Sequence, residues 1–147
     1  MIDPALARSL VRLAGELGDL RDPWWIIGST AVALHSVDPD GVDDIDLVVS
    51  GRDGALLLDR WGLANDAAPH PQFRSDHYAR WSGTDIPVEV QGNFHLNEDG
   101  DWKLVTFATR EEVLVDGASL FVPSGAELRE LMHRFGRDKD LRRAALL

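Results

Sequence analysis

The stretch DPDGVDDIDLVVS, residues 38–50, places five aspartates within nine positions and runs directly into β-branched apolar residues. A buried strand tolerates charge only at its mouth, so this boundary constrains the fold more than any other segment. Asp44 and Asp46 bracket Ile45. Residues two apart in a strand share a face, which sets the two carboxylates side by side and sends Ile45 and Leu47 to the other face. Like charges that close cost on the order of several kcal/mol in a partly desolvated site unless a cation lies between them. An oxygen-ligated divalent ion such as Mg²⁺ removes that cost.

Two plainer readings account for part of the acidity. Asp38-Pro39 and Asp40-Gly41 are turn formers, and Asp38 and Asp40 need no other role. A calcium loop would want a bidentate glutamate where Leu47 stands, so that reading fails.

The segment upstream supplies a complementary feature. WWIIGSTAVALHS reads as a short buried strand ending at Gly28, a Gly-Ser turn, and a short helix capped by Ser29 or Thr30. Backbone N–H groups at such a turn form a seat for phosphate, with Gly28 permitting close approach and the Ser29 hydroxyl donating.

The rest of the chain alternates helix and strand signals. Asp3-Pro4 opens an amphipathic helix carrying Leu6, Leu10, Leu13, Leu17 and Leu20. IDLVVS is a central strand, Gly51 and Gly54 punctuate the chain, and ALLLDRWGL is helical. FRSDHYARW and IPVEVQGNF are strands joined by a tight turn at GTD. LVTFATREEVLVDGASLFVPS holds strands broken at Asp116-Gly117. Ser124 caps SGAELRELMHRF, and Gly136 separates it from RDKDLRRAALL. The pattern predicts an α/β (α+β) fold, a mixed β-sheet with helices packed on it and helices at both ends.

Composition sets outer bounds. A chain of 147 residues, 44% apolar and 27% charged, is sized for one globular domain spanning 1–147. A formal charge of −10 disfavours non-specific adhesion to nucleic acid. With no cysteine, any metal must be held by oxygen or imidazole, and the composition fits a reducing cytoplasm. The first twenty residues do not read as a secretion signal, and no apolar run is long enough to span a membrane.

IIGS followed by DDIDLVV resembles the signature of the DNA polymerase β-like nucleotidyltransferase superfamily: apolar strand, Gly-Gly or Gly-Ser, short helix, then Asp-x-Asp on the next strand. IPVEVQ offers Glu89 as the third carboxylate of that pattern. GSTAVALHS ahead of DDIDL, and VPSGAELRELMHRFGRDKDLRRAALL at the end, are most similar to the small bacterial branch of minimal and toxin-type nucleotidyltransferases.

The resemblance implies a nucleotidyltransferase fold and transfer of a nucleoside monophosphate, AMP, from a nucleoside triphosphate to a hydroxyl. The acceptor would be a small molecule, a protein or an RNA. It implies two Mg²⁺ ions, or Mn²⁺, held by Asp44, Asp46 and Glu89 as metal ligands and catalytic residues. Gly28 and Ser29 would hold the β and γ phosphates, and Arg137 and Lys139 the triphosphate tail. A homodimer or a partner protein would complete an otherwise open cleft.

Alternatives stay open on the residues alone. Where the branch often carries an Arg and a Ser or Thr before the paired aspartates, this chain reads DPDGVD, which leaves room for a non-catalytic relative that binds a nucleotide or a partner. A sugar transferase using Asp-x-Asp is the weaker third class. Glu89 also suits a solvated strand face. His35 reads as packing or capping, and His70, His77, His95 and His133 lack metal-ligand spacing. The five tryptophans suit core or interface, and Tyr78 or Arg80 is a candidate for a base pocket.

Overall fold

Each helix of the chain begins or ends on a chemically identifiable residue, and the computed structural model, which describes residues 2–147, shows where those signals act. Helix α1, Pro4–Leu17, is capped by Asp3, whose carboxylate accepts from the Ala5 and Leu6 amides. It buries Leu6, Leu10, Leu13 and Leu17, each stabilising by roughly 1.5–3 kcal/mol relative to exposure. Strand β1, Trp25–Ile27, passes directly into α2, Gly28–Leu34. Strand β2, Ile45–Val49, is followed by α3, Gly51–Arg60, with Ser50 as its cap.

Short β3, Phe73–Arg74, precedes β4, His77–Trp81, and β5, Val88–Gly92. Two hairpins follow: β6, His95–Glu98, with β7, Asp101–Leu104, and β8, Glu111–Val115, with β9, Ala118–Val122. Helices α4, Gly125–Phe135, and α5, Asp138–Ala144, close the chain.

The main sheet runs β1-β2-β5-β4. β2 pairs in parallel with β5 and antiparallel with β1, and β4 pairs antiparallel with β5, so the sheet is mixed as expected. β3-β6-β7 forms a second small sheet and β8-β9 stands as a ribbon against α1. One contiguous apolar core joins these parts. Ile26, Ile45, Leu47, Val88 and Val90 from the main sheet are all fully buried in it.

Four local expectations are corrected. Neither Ser29 nor Thr30 caps α2: the helix starts at Gly28, whose φ of +69° turns strand into helix with no linker. Thr30 instead donates from its hydroxyl to the Asp44 carbonyl, 3.0 Å away. Gly51 and Gly54 do not punctuate the chain but lie inside α3, because that helix packs so closely on β5 that a β-carbon at Gly54 would stand 3.0 Å from Cα of Gly92. The link between β4 and β5 is a six-residue loop, since the register pairs Trp81 with Val88. Phe73-Arg74 leaves the β4 strand and pairs with β6.

The strand break expected at Asp116-Gly117 is the turn of the β8–β9 hairpin. Both turn residues have positive φ, 48° and 84°, the geometry a two-residue turn needs. Ser124 and Gly136 also act as expected at the two ends of α4: the serine hydroxyl accepts from the Glu127 amide and the glycine is left-handed. Glu127 in turn receives the Ala108 and Thr109 amides at 2.7 and 2.9 Å, fixing α4 against the preceding loop.

Candidate active site

The β2–β5 register places Asp46 directly beside Glu89, and Asp44 lies one pleat before Asp46 on the same face. One carboxylate oxygen from each of the three residues lies within 4.8 Å of the other two. Ile45 and Leu47, between and after the aspartates, are fully buried on the opposite face, as strand alternation requires.

Charge at this point is expensive. Burial, followed by the repulsion of Asp44 and Glu89, pushes the Asp46 carboxyl well above the ordinary carboxylate value of 3.8. Burial also raises Asp44, with Glu89 adding to it. Two cations act the other way: Arg80 lowers the Asp44 carboxyl, and the Lys139 ammonium lowers both aspartates. Three converging carboxylates with no nitrogen or sulfur donor form an oxygen set suited to a hard divalent cation.

Gly28 completes the corner. Ile27 pairs with Asp46 across β1 and β2, and the chain turns at the next residue. A β-carbon at Gly28 would meet Asp46 Oδ2 at 2.5 Å. The Asp46 carboxylate therefore occupies the space that any side chain at position 28 would fill. Ser29, the next residue, is buried and lines the same cavity.

A cavity of about 430 Å³ opens from the acids and is lined by Gly28, Ser29, Tyr78, Gln91 and residues of α4 and α5. Part of its wall is aromatic, with Phe73, Phe94 and Phe135 in mutual contact at ring separations of 5.1 to 6.2 Å. Gln91 shares its strand face with Glu89, and its side-chain oxygen is buried without a hydrogen-bond partner among the described residues. Burial, then the adjacent Glu89 carboxylate, drives the Tyr78 phenol upward, so it remains a neutral donor.

Lys139 and Arg137 both line this cavity. The Arg137 guanidinium is already engaged, with Nε 2.6 Å and Nη2 3.1 Å from the two oxygens of buried Asp140, and it lies 4.9 Å over the Phe73 ring. Lys139 is exposed on the same helix, and Arg143, one turn further on, joins it at the cavity wall. His35 accepts no site role: its Nε2 is 2.8 Å from the Pro123 carbonyl, at the end of α2.

Arg80 is the residue whose position sequence reasoning missed. It stands opposite Glu89 in the β4–β5 register, with Nη1 3.0 Å from Glu89 Oε1 and 3.9 Å from Asp44 Oδ2. The available signal was alternation in HYARW, which puts Tyr78 and Arg80 on one face and buried Ala79 and Trp81 on the other.

The mixed sheet and its packed helices share the fold of solved nucleotidyltransferase structures. The chain is similar to a candidate nucleotidyltransferase from Thermotoga maritima, with a TM-score of 0.79, 21% identity, and coverage of 97% of this chain and 91% of that one. It is also similar to an antigenic nucleotidyltransferase-like protein from Paracoccidioides brasiliensis, with a TM-score of 0.52, 20% identity, and coverage of 96% and 74%. No protein-family model matches the sequence, and no curated protein is similar to it.

Proposed function

We propose that this chain transfers a nucleoside monophosphate, AMP from ATP, to a hydroxyl group of a small molecule, protein or RNA: the hydroxyl oxygen bonds to the α phosphorus, the bond from that phosphorus to the β-phosphate oxygen breaks, and pyrophosphate and the hydroxyl proton leave. The observation that carries the reading is the convergence of Asp44, Asp46 and Glu89 within 4.8 Å beside a glycine that leaves no room for a side chain. The donor set fits Mg²⁺ or Mn²⁺, with all three acids as ligands. When bound there, a divalent cation supplies charge neutralisation on phosphate oxygens and lowers the cost of generating an alkoxide nucleophile.

The chain's own residues supply position. Gly28 leaves room for the Asp46 carboxylate at the start of α2, and Gly28 and Ser29 line the cavity, where the Ser29 hydroxyl is the donor offered to a phosphate. Lys139 offers a cation to the outer phosphates, with Arg137 held beside it by Asp140. The aromatic part of the cavity wall accepts a planar or apolar group and keeps water from it. Bringing triphosphate and hydroxyl to one small cavity turns a two-body encounter into a positioned one.

The deciding experiment incubates the purified protein and Asp46→Asn with α-labelled nucleoside triphosphates, Mg²⁺ and separated protein, RNA and small-molecule fractions of a lysate. Label entering one fraction with the wild-type protein alone supports transfer. Nucleotide binding without transfer to any fraction favours a binding module, and no triphosphate binding at millimolar Mg²⁺ overturns the proposal.

A further inference from the structure

We propose that Arg80 is an internal counter-ion that occupies the acid cluster in the cation-free protein and makes metal loading depend on the arrival of nucleotide. The inference rests on the metal-nucleotide reading of the site and adds a positioning role that the acids themselves do not provide. The guanidinium reaches two of the three carboxylates, Glu89 at 3.0 Å and Asp44 at 3.9 Å, and so supplies the positive charge these crowded acids need.

Its backbone is fixed by pairing with Glu89, but its side chain is 50% exposed, against 31% for Asp44 and 22% for Glu89. The arginine is therefore the most solvent-accessible member of the group. A cation entering alone would meet a like charge already bound to its own ligands. A cation chelated by a triphosphate brings anionic oxygens to which Arg80 can transfer its hydrogen bond from Glu89, because a guanidinium pairs with phosphate as well as with carboxylate. Arg80 leaves the acids and pairs with the incoming anion, and the cluster is released only when its substrate is present.

The test measures Mn²⁺ binding by electron paramagnetic resonance in wild type, Arg80→Gln and Arg80→Lys, each with and without a non-hydrolysable nucleoside triphosphate, with circular dichroism to verify folding. With Mn²⁺ alone, Arg80→Gln should bind about tenfold or more tighter than wild type, since a competing charge is gone. Arg80→Lys, which retains the charge, should stay close to wild type. Adding the triphosphate should tighten wild type far more than Arg80→Gln and narrow the gap between them.

Equal or weaker Mn²⁺ binding by folded Arg80→Gln overturns the proposal. If triphosphate binds and Arg80→Gln has no effect on Mn²⁺, the counter-ion role falls and the transfer reading stands. If Arg80→Gln tightens Mn²⁺ binding while no variant binds triphosphate, Arg80 is a counter-ion to the acids, but the nucleotide-dependent release proposed here is overturned together with the transfer reading.

Discussion

Gly28 and Asp46 stand so close that a β-carbon on the glycine would lie 2.5 Å from Oδ2 of the aspartate. The glycine also holds a φ of +69°, which strains any other residue. Gly28→Ala should therefore displace the Asp46 carboxylate and cost roughly 1–3 kcal/mol of stability. Calorimetric Mn²⁺ titration of the folded variant should show weaker binding than wild type. An alanine variant with unchanged affinity would remove the steric coupling between the two positions.

Asp46→Asn separates stability from binding. The native carboxylate is crowded by Asp44 and Glu89, so deleting its charge should raise the melting temperature of the metal-free protein at neutral pH. The same change should weaken Mn²⁺ binding by more than about a hundredfold, because it removes a ligand rather than an outer-sphere partner. Scanning calorimetry in chelator, paired with metal titration, reads both effects.

The pH dependence has a defined sign. Asp44 and Asp46 are raised above their ordinary value of 3.8, so the native state retains protons that the unfolded chain has already released. The stability these groups contribute is complete below that ordinary value and is lost as pH rises through their raised values. Urea unfolding in chelator should show that loss on the alkaline side. Millimolar Mn²⁺ should abolish or reverse it, and Asp46→Asn should flatten it.

Away from the cavity, Asp53 is 1% exposed and accepts from the Arg21 and Asp22 amides at 3.0 and 2.8 Å, tying the loop before β1 to α3. Asp53→Ala leaves both donors without a partner and should destabilise by about 2 kcal/mol. Denaturant unfolding measures the loss, and Mn²⁺ affinity of the folded fraction should not change.

Gly54→Ala tests the α3–β5 contact in the same way. Its added carbon would meet Cα of Gly92 at 3.0 Å and Cβ of His77 at 3.3 Å. Backbone cannot yield as a flexible side chain does, so the cost should be about 1–3 kcal/mol. Equal stability would mean that the helix can shift outward freely.

Much of the site was legible because strand geometry is a short-range property. The two-residue spacing of Asp44 and Asp46, and the apolar flanks of Glu89, are local patterns, and they predicted which faces the carboxylates share. The α1 leucines and the Ser124 cap were readable for the same reason. Partners across strands were not. Arg80 reaches Glu89 through a register fixed by packing of the whole sheet, and nothing local in HYARW names its partner. Gly51 and Gly54 misled because glycine usually interrupts structure, whereas here the tight approach of a helix to a strand selects it. The β6–β7 hairpin was overlooked because HLNEDGDWKL is mostly polar, with only Leu96, Trp102 and Leu104 apolar, although its Asp99-Gly100 turn, with φ values of 54° and 92°, carries the usual two-residue signal.

The parallel pairing of β2 with β5 has a consequence for how the chain acquires chemistry at all. Parallel neighbours cannot be closed by a short turn, so residues 50–87 must be threaded and folded back before Glu89 arrives beside Asp46. A fragment ending before β5 would keep both aspartates and possess no trio. A slip of one position would rotate Glu89 into the apolar interior and present Val88 or Val90 to the charges instead. The trio is a property of the assembled sheet, complete only once β5 lies beside β2.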